Sequence, residues 1–318
     1  MWVSALFGMV TKFSEVTLAV KYRERNEKGD WCGGPMYYIK NGLGPKWKWL
    51  GTVFAVLGAI AAFGIGNIAQ VNSIADSVKS VAIAFNEDAA NKEMLICLIT
   101  GICVAIFVAL VLLGGVKRIG QVTEKLVPGM AVIYIVCALI VVFANISAVP
   151  GVFASIFKGA FNPAAVTGGA AGMSIKLAMT KGVGRGVFSN EAGLGTGAWV
   201  AGCADVSHPA KAGLSQAFSV FVSLCICLAT SLMILVTNSY NVVQGDGTQV
   251  VSHISGNYDV FVTEAINTTV NGFGFIFITV AMFLFTFTTI MAYSMYLSCI
   301  YYYCFGCFVL FFVLRVPL

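Results

Sequence analysis

Apolar residues are grouped along the chain in runs of about twenty, and short polar connections separate the runs. About 20 predominantly apolar residues are enough for an α-helix to cross the hydrocarbon core of a bilayer. Six runs meet this length, near 50–75, 94–115, 127–149, 171–200, 213–238 and 272–295. Two more stretches are less regular, because 1–20 contains Lys12 and Glu15 and 296–318 is aromatic and uneven. The pattern predicts at least six membrane-spanning segments.

These spans are predicted to be helices. Inside a bilayer every backbone N–H and C=O must find a partner within the protein, which only α-helices and closed β-barrels achieve. Barrel strands alternate apolar and polar residues, and these runs do not. Only 10% of the 318 residues are charged, against roughly 25% in a typical soluble domain. The predicted fold class is therefore an all-α polytopic membrane protein, a multi-pass protein of the cell membrane with the lipid bilayer as its main solvent.

The basic residues are distributed unevenly among the connections. Eleven Lys and Arg residues lie in 21–48, 116–126 and 201–212, whereas two, Lys92 and Lys158, lie in the alternate connections. Cytoplasmic loops of membrane proteins carry the excess of positive charge, so the first three connections are predicted to face the cytoplasm. The net charge of +5 then reflects orientation in the membrane, and nucleic acid is not expected as a partner.

One polar segment interrupts an apolar region. Residues 184–198 read GRGVFSNEAGLGTGA, with five glycines in fifteen residues. Glycine weakens a helix interior by about 1 kcal/mol relative to alanine, and a carboxylate at mid-membrane, here Glu191, costs ~2.5–3.5 kcal/mol on insertion scales. These features predict a discontinuous helix with halves near 174–188 and 194–204 and a break near 188–193, whose free N–H and C=O groups would attract ions and substrate. The alternative is a closely packed glycine-rich helix with Glu191 in a buried hydrogen-bond network.

Two other polar groups lie within predicted spans. Gln70 shares a helical face with Phe63 and Asn67, and such amides either serve a substrate or hold one helix against another. Lys12 and Glu15 are three residues apart on one helix, and we expect them to pair with each other.

A further polar face is predicted near the end of the chain, where Thr286, Thr289 and Tyr293 recur at helical spacing. Threonine hydroxyls and freed carbonyls are suitable oxygen ligands for a small hard cation. The alternative, at least as strong on the residues alone, is that each threonine bonds back to its own helix.

An enzyme and a metal centre are not predicted. The ten cysteines lie mostly in apolar runs and the chain has two histidines, so no cysteine–histidine spacing typical of zinc occurs. Ser189 does not lie in the G-x-S-x-G motif of a nucleophile elbow, and no histidine is near it in sequence.

Six phrases, taken together and in order, resemble the alanine or glycine:cation symporters of the amino acid–polyamine–cation superfamily. They are KFSEVTLAVKYR (12–23), GGPMYYIKNGLG (33–44), AFGIGNIAQVNSIAD (62–76), KRIGQVTEKLVPGMAVIY (117–134), RGVFSNEAGLGTGA (185–198) and FTTIMAY (287–293). Chance agreement over six phrases that cover most of the chain is implausible, so the resemblance is strong.

The resemblance implies a five-plus-five inverted-repeat transporter fold, present here in part, with the discontinuous helix near 188–193 as the family's sixth. It implies secondary active transport of alanine or glycine coupled to sodium, with no cofactor besides that ion. The implied substrate-binding residues are Gln70, Phe188, Ser189, Asn190, Glu191, Gly193, Thr289 and Tyr293, and the implied sodium-binding residues are Thr288 and Thr289. Tyr293 stands where many members carry Trp, so the choice of substrate stays open.

The resemblance is incomplete at both ends. The family's first helix is expected upstream of residue 1, and the agreement ends after about residue 294. We therefore interpret residues 1–318 as a single transmembrane transporter domain of a truncated member. The alternative function is a non-transporting remnant of such a symporter.

The charge distribution generates a test of topology. In a cysteine-free background, a cysteine introduced at position 28 should be protected from an impermeant thiol reagent in intact cells, whereas one at position 246 should be labelled, because eleven basic residues hold the 21–48 side in the cytoplasm. Labelling at 28 with protection at 246 would invert the assignment.

Overall fold

The computed structural model describes residues 1–26, 29–161, 171–243, 249–254 and 260–305. In chain order its helices are α1 (Trp2–Lys21), α2 (Pro35–Leu43), α3 (Lys48–Ala61), α4 (Ala69–Phe85), α5 (Glu93–Leu112), α6 (Gly115–Ala144), α7 (Val149–Phe161), α8 (Ala171–Asn190), α9 (Thr196–Cys203), α10 (Pro209–Val236), α11 (Phe261–Asn267) and α12 (Phe273–Phe305). A π-helical segment, Ala62–Ile68, joins α3 to α4. Short 3-10 turns lie at Pro45–Trp47, Glu87–Lys92 and Ile146–Ala148.

Six helical segments of the described chain are long and apolar enough to cross a bilayer. They are Trp2–Lys21, Pro45–Phe85, Glu93–Leu112, Arg118–Ala144, Pro209–Val236 and Phe273–Cys304. The all-α polytopic class is thereby confirmed, and the irregular stretch 1–20 is one of the spans. Region 171–200 is divided between α8 and α9. The predicted segment 296–318 begins as a continuation of α12 as far as Phe305, and the remainder lies outside the described residues.

Two short antiparallel hairpins lie in the connections and were not expected from the hydropathy pattern. The first pairs β1 (Glu24–Arg25) with β2 (Trp31–Cys32), and the second pairs β3 (Asn241–Val243) with β4 (Gln249–Ser252). Their strands are two to four residues long, too short for any periodicity to reveal.

The first hairpin is held at the membrane surface by charged and aromatic groups. The Arg23 guanidinium lies over the Trp31 ring, 4.0 Å from its centroid. The Lys40 ammonium of α2 donates to the Glu24 carboxylate at 2.8 Å. Burial opposes ionisation of Glu24, but hydrogen bonds from Lys40 and Asn41 hold the pKa of its carboxyl below the ordinary value.

α1 divides its surface between protein and lipid. It packs against α10, α9, α8 and α2, and its buried side includes Ala5, Val16 and Ala19. Phe7 and Val10 are exposed on the opposite side. Exposed apolar side chains on a spanning helix are the ones that meet lipid, so the two faces of α1 explain how a span can carry buried charges and remain apolar outside.

The short helix α9 lies in the main apolar core. The Trp199 side chain is buried, with its ring centroid 4.9 Å from that of Tyr296 on α12 and 5.6 Å from that of Phe54 on α3. Its indole N–H donates to the Met36 sulfur of α2 at 3.1 Å. α9 is thus fixed by three other helices through one aromatic side chain.

The C-terminal end of α9 also approaches the connection that follows the first hairpin. A Cβ added at Gly202 would lie less than 3 Å from Gly33 Cα, and the reverse holds for a Cβ at Gly33. The Arg23 guanidinium donates to the Ala204 carbonyl just beyond α9. Backbone atoms meet here because neither glycine has a side chain.

This contact predicts that Gly202→Ala lowers stability. Overpacking of a tight site costs typically about 1–3 kcal/mol, so the midpoint of thermal unfolding in detergent should fall by several degrees. Gly101→Ala in α5 is the matched control, because nothing lies within 4 Å of the added Cβ. Equal midpoints for the two variants would contradict the close backbone contact.

Candidate functional site

The predicted discontinuous helix is present, with its break shifted toward the C-terminus. α8 continues to Asn190 and α9 begins at Thr196. Glu191 has φ +50°, and Gly193 and Gly195 have φ +85° and +84°. A left-handed conformation costs a residue with a Cβ about 1–2 kcal/mol, so the break requires its glycines and strains Glu191. The predicted bounds of 188–193 are corrected to 191–195.

α1 supplies a charged group to each side of this break. The Lys12 ammonium donates to the Glu191 carbonyl at 3.3 Å, and the Gly193 N–H donates to Glu15 Oε2 at 3.1 Å. Only 3% of Lys12 and 7% of Glu15 are exposed. The charges match the helix dipoles, which favour cations beside terminal carbonyls and anions beside terminal N–H groups.

The expected direct pairing of Lys12 with Glu15 is therefore wrong. Among the described residues, ion pairs within 4.0 Å join Lys40 to Glu24 and Lys79 to Asp76 and Glu93. Spacing of i and i+3 allows a pair on an exposed helix, but here the broken helix offers each charge a backbone partner.

Both alternatives for the glycine-rich segment, a discontinuous helix and a buried hydrogen-bond network, apply at Glu191. Its backbone lies in the break, while its carboxylate accepts a hydrogen bond from the Thr196 hydroxyl at 2.8 Å. A discontinuous helix and a buried hydrogen-bond network thus occur at the same place.

The other predicted residues of this segment lie in the last turn of α8. The Phe188 side chain is 60% exposed. Ser189 Oγ lies 3.3 Å from Cys227 Sγ of α10. Asn190 is buried beside Gly8 of α1, where an added Cβ would lie 3.5 Å from the amide nitrogen. These three side chains point in different directions from the helix, so they do not form one surface.

The amide side chains of Asn67 and Gln70 bond to carbonyls of their own helical segment. Gln70 Nε2 donates to the Ile65 carbonyl at 3.3 Å, and Asn67 Nδ2 donates to the Ala62 carbonyl at 3.0 Å. Both bonds span five residues, because the π-helical segment widens the turn and frees carbonyls. Such π segments are frequent at functional sites, yet no described contact joins Gln70 to the break.

The threonines of α12 bond back to their helix, as the alternative interpretation had it. The hydroxyls of Thr288 and Thr289 donate to the Phe285 carbonyl at 2.8 and 2.9 Å, and Thr286 donates to Met282. Each hydroxyl oxygen keeps lone pairs that can coordinate a cation.

Tyr293 connects α12 with both interrupted regions. Its ring lies against Gly66 of the π-helical segment, where a Cβ would collide with it. Its ring centroid lies 4.9 Å from that of Tyr296. Both tyrosines are close enough to Glu191 to interact with its negative charge. Tyr293 and Glu191 are therefore the two predicted site residues that the structure brings into one electrostatic environment.

A cavity of about 410 Å³ opens beside the break, between α1 and α8. Its polar lining includes Ser4, Thr11 and Asn190, and its apolar lining includes Phe7 and Val187. Sequence analysis missed this side of the break. The signal was available, because an ionisable residue inside a spanning segment indicates a functional position by default, and the interior of α1 carries Lys12 and Glu15.

Comparison with known proteins gives a consistent result. The sodium:alanine symporter family model matches residues 1–316. The sodium/alanine symporter AgcS of Methanococcus maripaludis is 44% identical over 239 residues, which are 74% of this chain and 49% of the relative. The sodium/proton-dependent alanine carrier protein of Bacillus sp. (strain PS3) is 39% identical over 298 residues, 92% of this chain and 62% of the relative.

A third relative differs in its named substrate. The "Probable sodium/glutamine symporter GlnT" of Bacillus subtilis is 39% identical over 242 residues, which are 76% of this chain and 47% of that protein. The chain spans about half to three-fifths of the length of the curated relatives that it matches.

The contacts of α1 with the break generate a double-mutant prediction. Lys12 acts on the charge of Glu15 without direct contact, so Lys12→Met leaves that buried charge uncompensated, which costs up to about 3–5 kcal/mol. Adding Glu15→Gln removes that charge. The double variant should therefore be more stable than Lys12→Met alone, with a coupling of about 0.5–3 kcal/mol in denaturant unfolding.

The matched control is Lys125→Met, since Lys125 is exposed on α6. Its combination with Glu15→Gln should be additive. Additivity in both pairs would show that Lys12 does not compensate Glu15.

Proposed function

The chain belongs to the sodium:alanine symporter family, and we propose that it carries out sodium-coupled transport of a small neutral amino acid across the cell membrane. The observation that carries this proposal is the break at 191–195 between α8 and α9, within a bundle of membrane-spanning helices. Discontinuous helices near the bilayer midplane form the substrate and ion sites of many secondary transporters.

The two ends of the break suit the two charges of an amino acid. The α8 end presents the Glu191 carboxylate, which favours an ammonium, and the α9 end presents the N–H groups of its first turn, which favour a carboxylate. In this proposal Phe188, Ser189, Asn190, Glu191 and Gly193 form the substrate-binding segment, and Gln70, Thr289 and Tyr293 contribute from α4 and α12. The break then orients both charged ends of the substrate, and neighbouring side chains select its third group.

Alanine or glycine is the proposed substrate. The names of two relatives support alanine, whereas a third carries the name of a glutamine symporter. The Tyr293 ring lies so close to Gly66 that a methyl group at Gly66 would collide with it.

Sodium is the proposed coupling ion. The family description names sodium, and the hydroxyls of Thr288 and Thr289 are adjacent on α12 with their hydrogens directed to the Phe285 carbonyl. Their remaining lone pairs are available to a hard cation, which prefers oxygen ligands.

Uptake by the purified 318-residue chain in proteoliposomes tests this function. With an inward sodium gradient, labelled alanine should accumulate, and excess unlabelled glycine should compete better than glutamine. Replacing sodium by potassium should abolish accumulation. Equal uptake with and without sodium would overturn the proposed coupling, and stronger competition by glutamine would overturn the proposed substrate.

A threonine variant tests the sodium site in the same assay. Thr289→Val removes one oxygen, so the sodium concentration that gives half-maximal uptake should rise several-fold. The alanine concentration that gives half-maximal uptake should rise less. Thr123→Val is the matched control, because the Thr123 hydroxyl makes the same i−4 bond, to the Ile119 carbonyl, on α6. An identical sodium dependence in both variants would exclude Thr289 as a ligand.

A further inference from the structure

The Glu15 carboxylate is not fully satisfied. Oε2 accepts the Gly193 N–H at 3.1 Å, and the Gly195 N–H also faces the carboxylate, but Oε1 is buried and accepts no hydrogen bond of good geometry among the described residues. The whole residue is 7% exposed, and it lies within the span Trp2–Lys21. A buried carboxylate oxygen without a donor costs several kcal/mol, so this atom needs an account.

The charges that face Glu15 do not balance. On α1 the cation is Lys12, and across the break the anion is Glu191, so two carboxylates share one ammonium. The neighbouring tyrosines, Tyr38 of α2 and Tyr296 of α12, are neutral and interact with Glu15. Burial, followed by the negative charge of Glu15, raises the pKa of Tyr38 to about 12.

Among the described side chains, the other elements that pack on α1 do not place a second cation beside Glu15. On α2 the basic group is Lys40, which pairs with Glu24. On α10 the basic group is Lys211, which donates to the Ser207 hydroxyl. On α8 the described basic side chain is Arg185, which is exposed. Counted over the described side chains, the cluster around Glu15 therefore carries one uncompensated negative charge when both carboxyls are ionised.

A proton fits this position better than a metal ion. Hard cations such as Ca²⁺ take six to eight oxygen ligands, and no group of acidic, histidine or cysteine side chains in the described chain has a geometry for a metal. A proton requires a single lone pair, and Oε1 offers one.

We propose that Glu15 is a proton-binding site linked to the amino-acid site through the Gly193 N–H. The inference rests on the proposed transport function. When Glu15 is ionised, Oε2 accepts the Gly193 N–H within the break. When a proton from solvent bonds to Oε1, the neutral carboxyl becomes a weaker acceptor and the N–H is free for the substrate carboxylate. Release of the amino acid reverses both steps, and the proton returns to solvent.

The direction of the pH dependence follows from this competition. Substrate binds to the form in which Glu15 is protonated, so binding takes up a proton and proton binding strengthens substrate binding by the same factor. Apparent affinity for alanine should be constant at low pH and should fall by up to about tenfold per pH unit above the pKa of Glu15.

The first test requires no substrate. Dicyclohexylcarbodiimide adds to protonated buried carboxyls, so mass spectrometry of the labelled wild-type chain across pH reports the protonation of each carboxyl. Glu15 should be modified at neutral pH, where exposed Glu124 on α6 is not. Alanine with sodium should extend Glu15 labelling to higher pH. Absence of Glu15 labelling at neutral pH, or labelling that alanine leaves unchanged or decreases, would overturn the proposal.

The second test measures binding of labelled alanine to the detergent-solubilised chain across pH. Glu15→Gln mimics the protonated form, so its affinity should be close to that of the wild type at low pH and should lose the pH dependence. Glu124→Gln is the matched control and should keep it. A pH dependence that persists in Glu15→Gln would assign the proton elsewhere.

The two proposals fail in different ways. If no neutral amino acid binds to the wild type at any pH, the transport function is wrong and the linkage with it. If alanine binds with the same affinity at every pH, the function stands and the proton site is wrong.

Discussion

Lipid offers no hydrogen bonds, so a helix that stops within a membrane must have its free backbone groups satisfied by another part of the protein. Here α1 meets this requirement. Its ammonium at Lys12 donates to the Glu191 carbonyl, and its carboxylate at Glu15 accepts from the Gly193 N–H, both within the break. The charges of α1 and the break therefore stabilise each other, because each would be costly in lipid without the other.

The same requirement explains what hydropathy predicted well. A run of about twenty apolar residues indicates a lipid-facing helix without reference to any other part of the chain. The spans in α5, α6, α10 and α12 could therefore be predicted from the sequence. The break was visible as well, since glycines and a glutamate are unfavourable in a lipid-facing helix. Its bounds moved by two to three residues because the position where a helix ends depends on partners, here Glu15 and Lys12, that are about 180 residues away in the chain.

The site residues were less predictable for a related reason. Gln70, Thr288 and Thr289 lie where the helical pattern placed them, but their side chains bond to their own helices. The sequence offers no means of choosing between a local carbonyl and a distant ligand. Lys12 and Glu15 show the converse, because local spacing suggested a pair and tertiary contacts separated it. Periodicity predicts which face a residue occupies, whereas its hydrogen-bond partner depends on what lies opposite.

The close approach of Gly33 and Gly202 has a mechanical consequence. It joins the C-terminal end of α9 to the first hairpin, and the hydrogen bond from Arg23 to the Ala204 carbonyl adds a second attachment. Two attachment points restrict rotation of one element against the other, so α9 and the hairpin form one rigid unit. A displacement of α9 would carry the hairpin with it, and the fluorescence of Trp31, whose ring is stacked on Arg23, would report that movement.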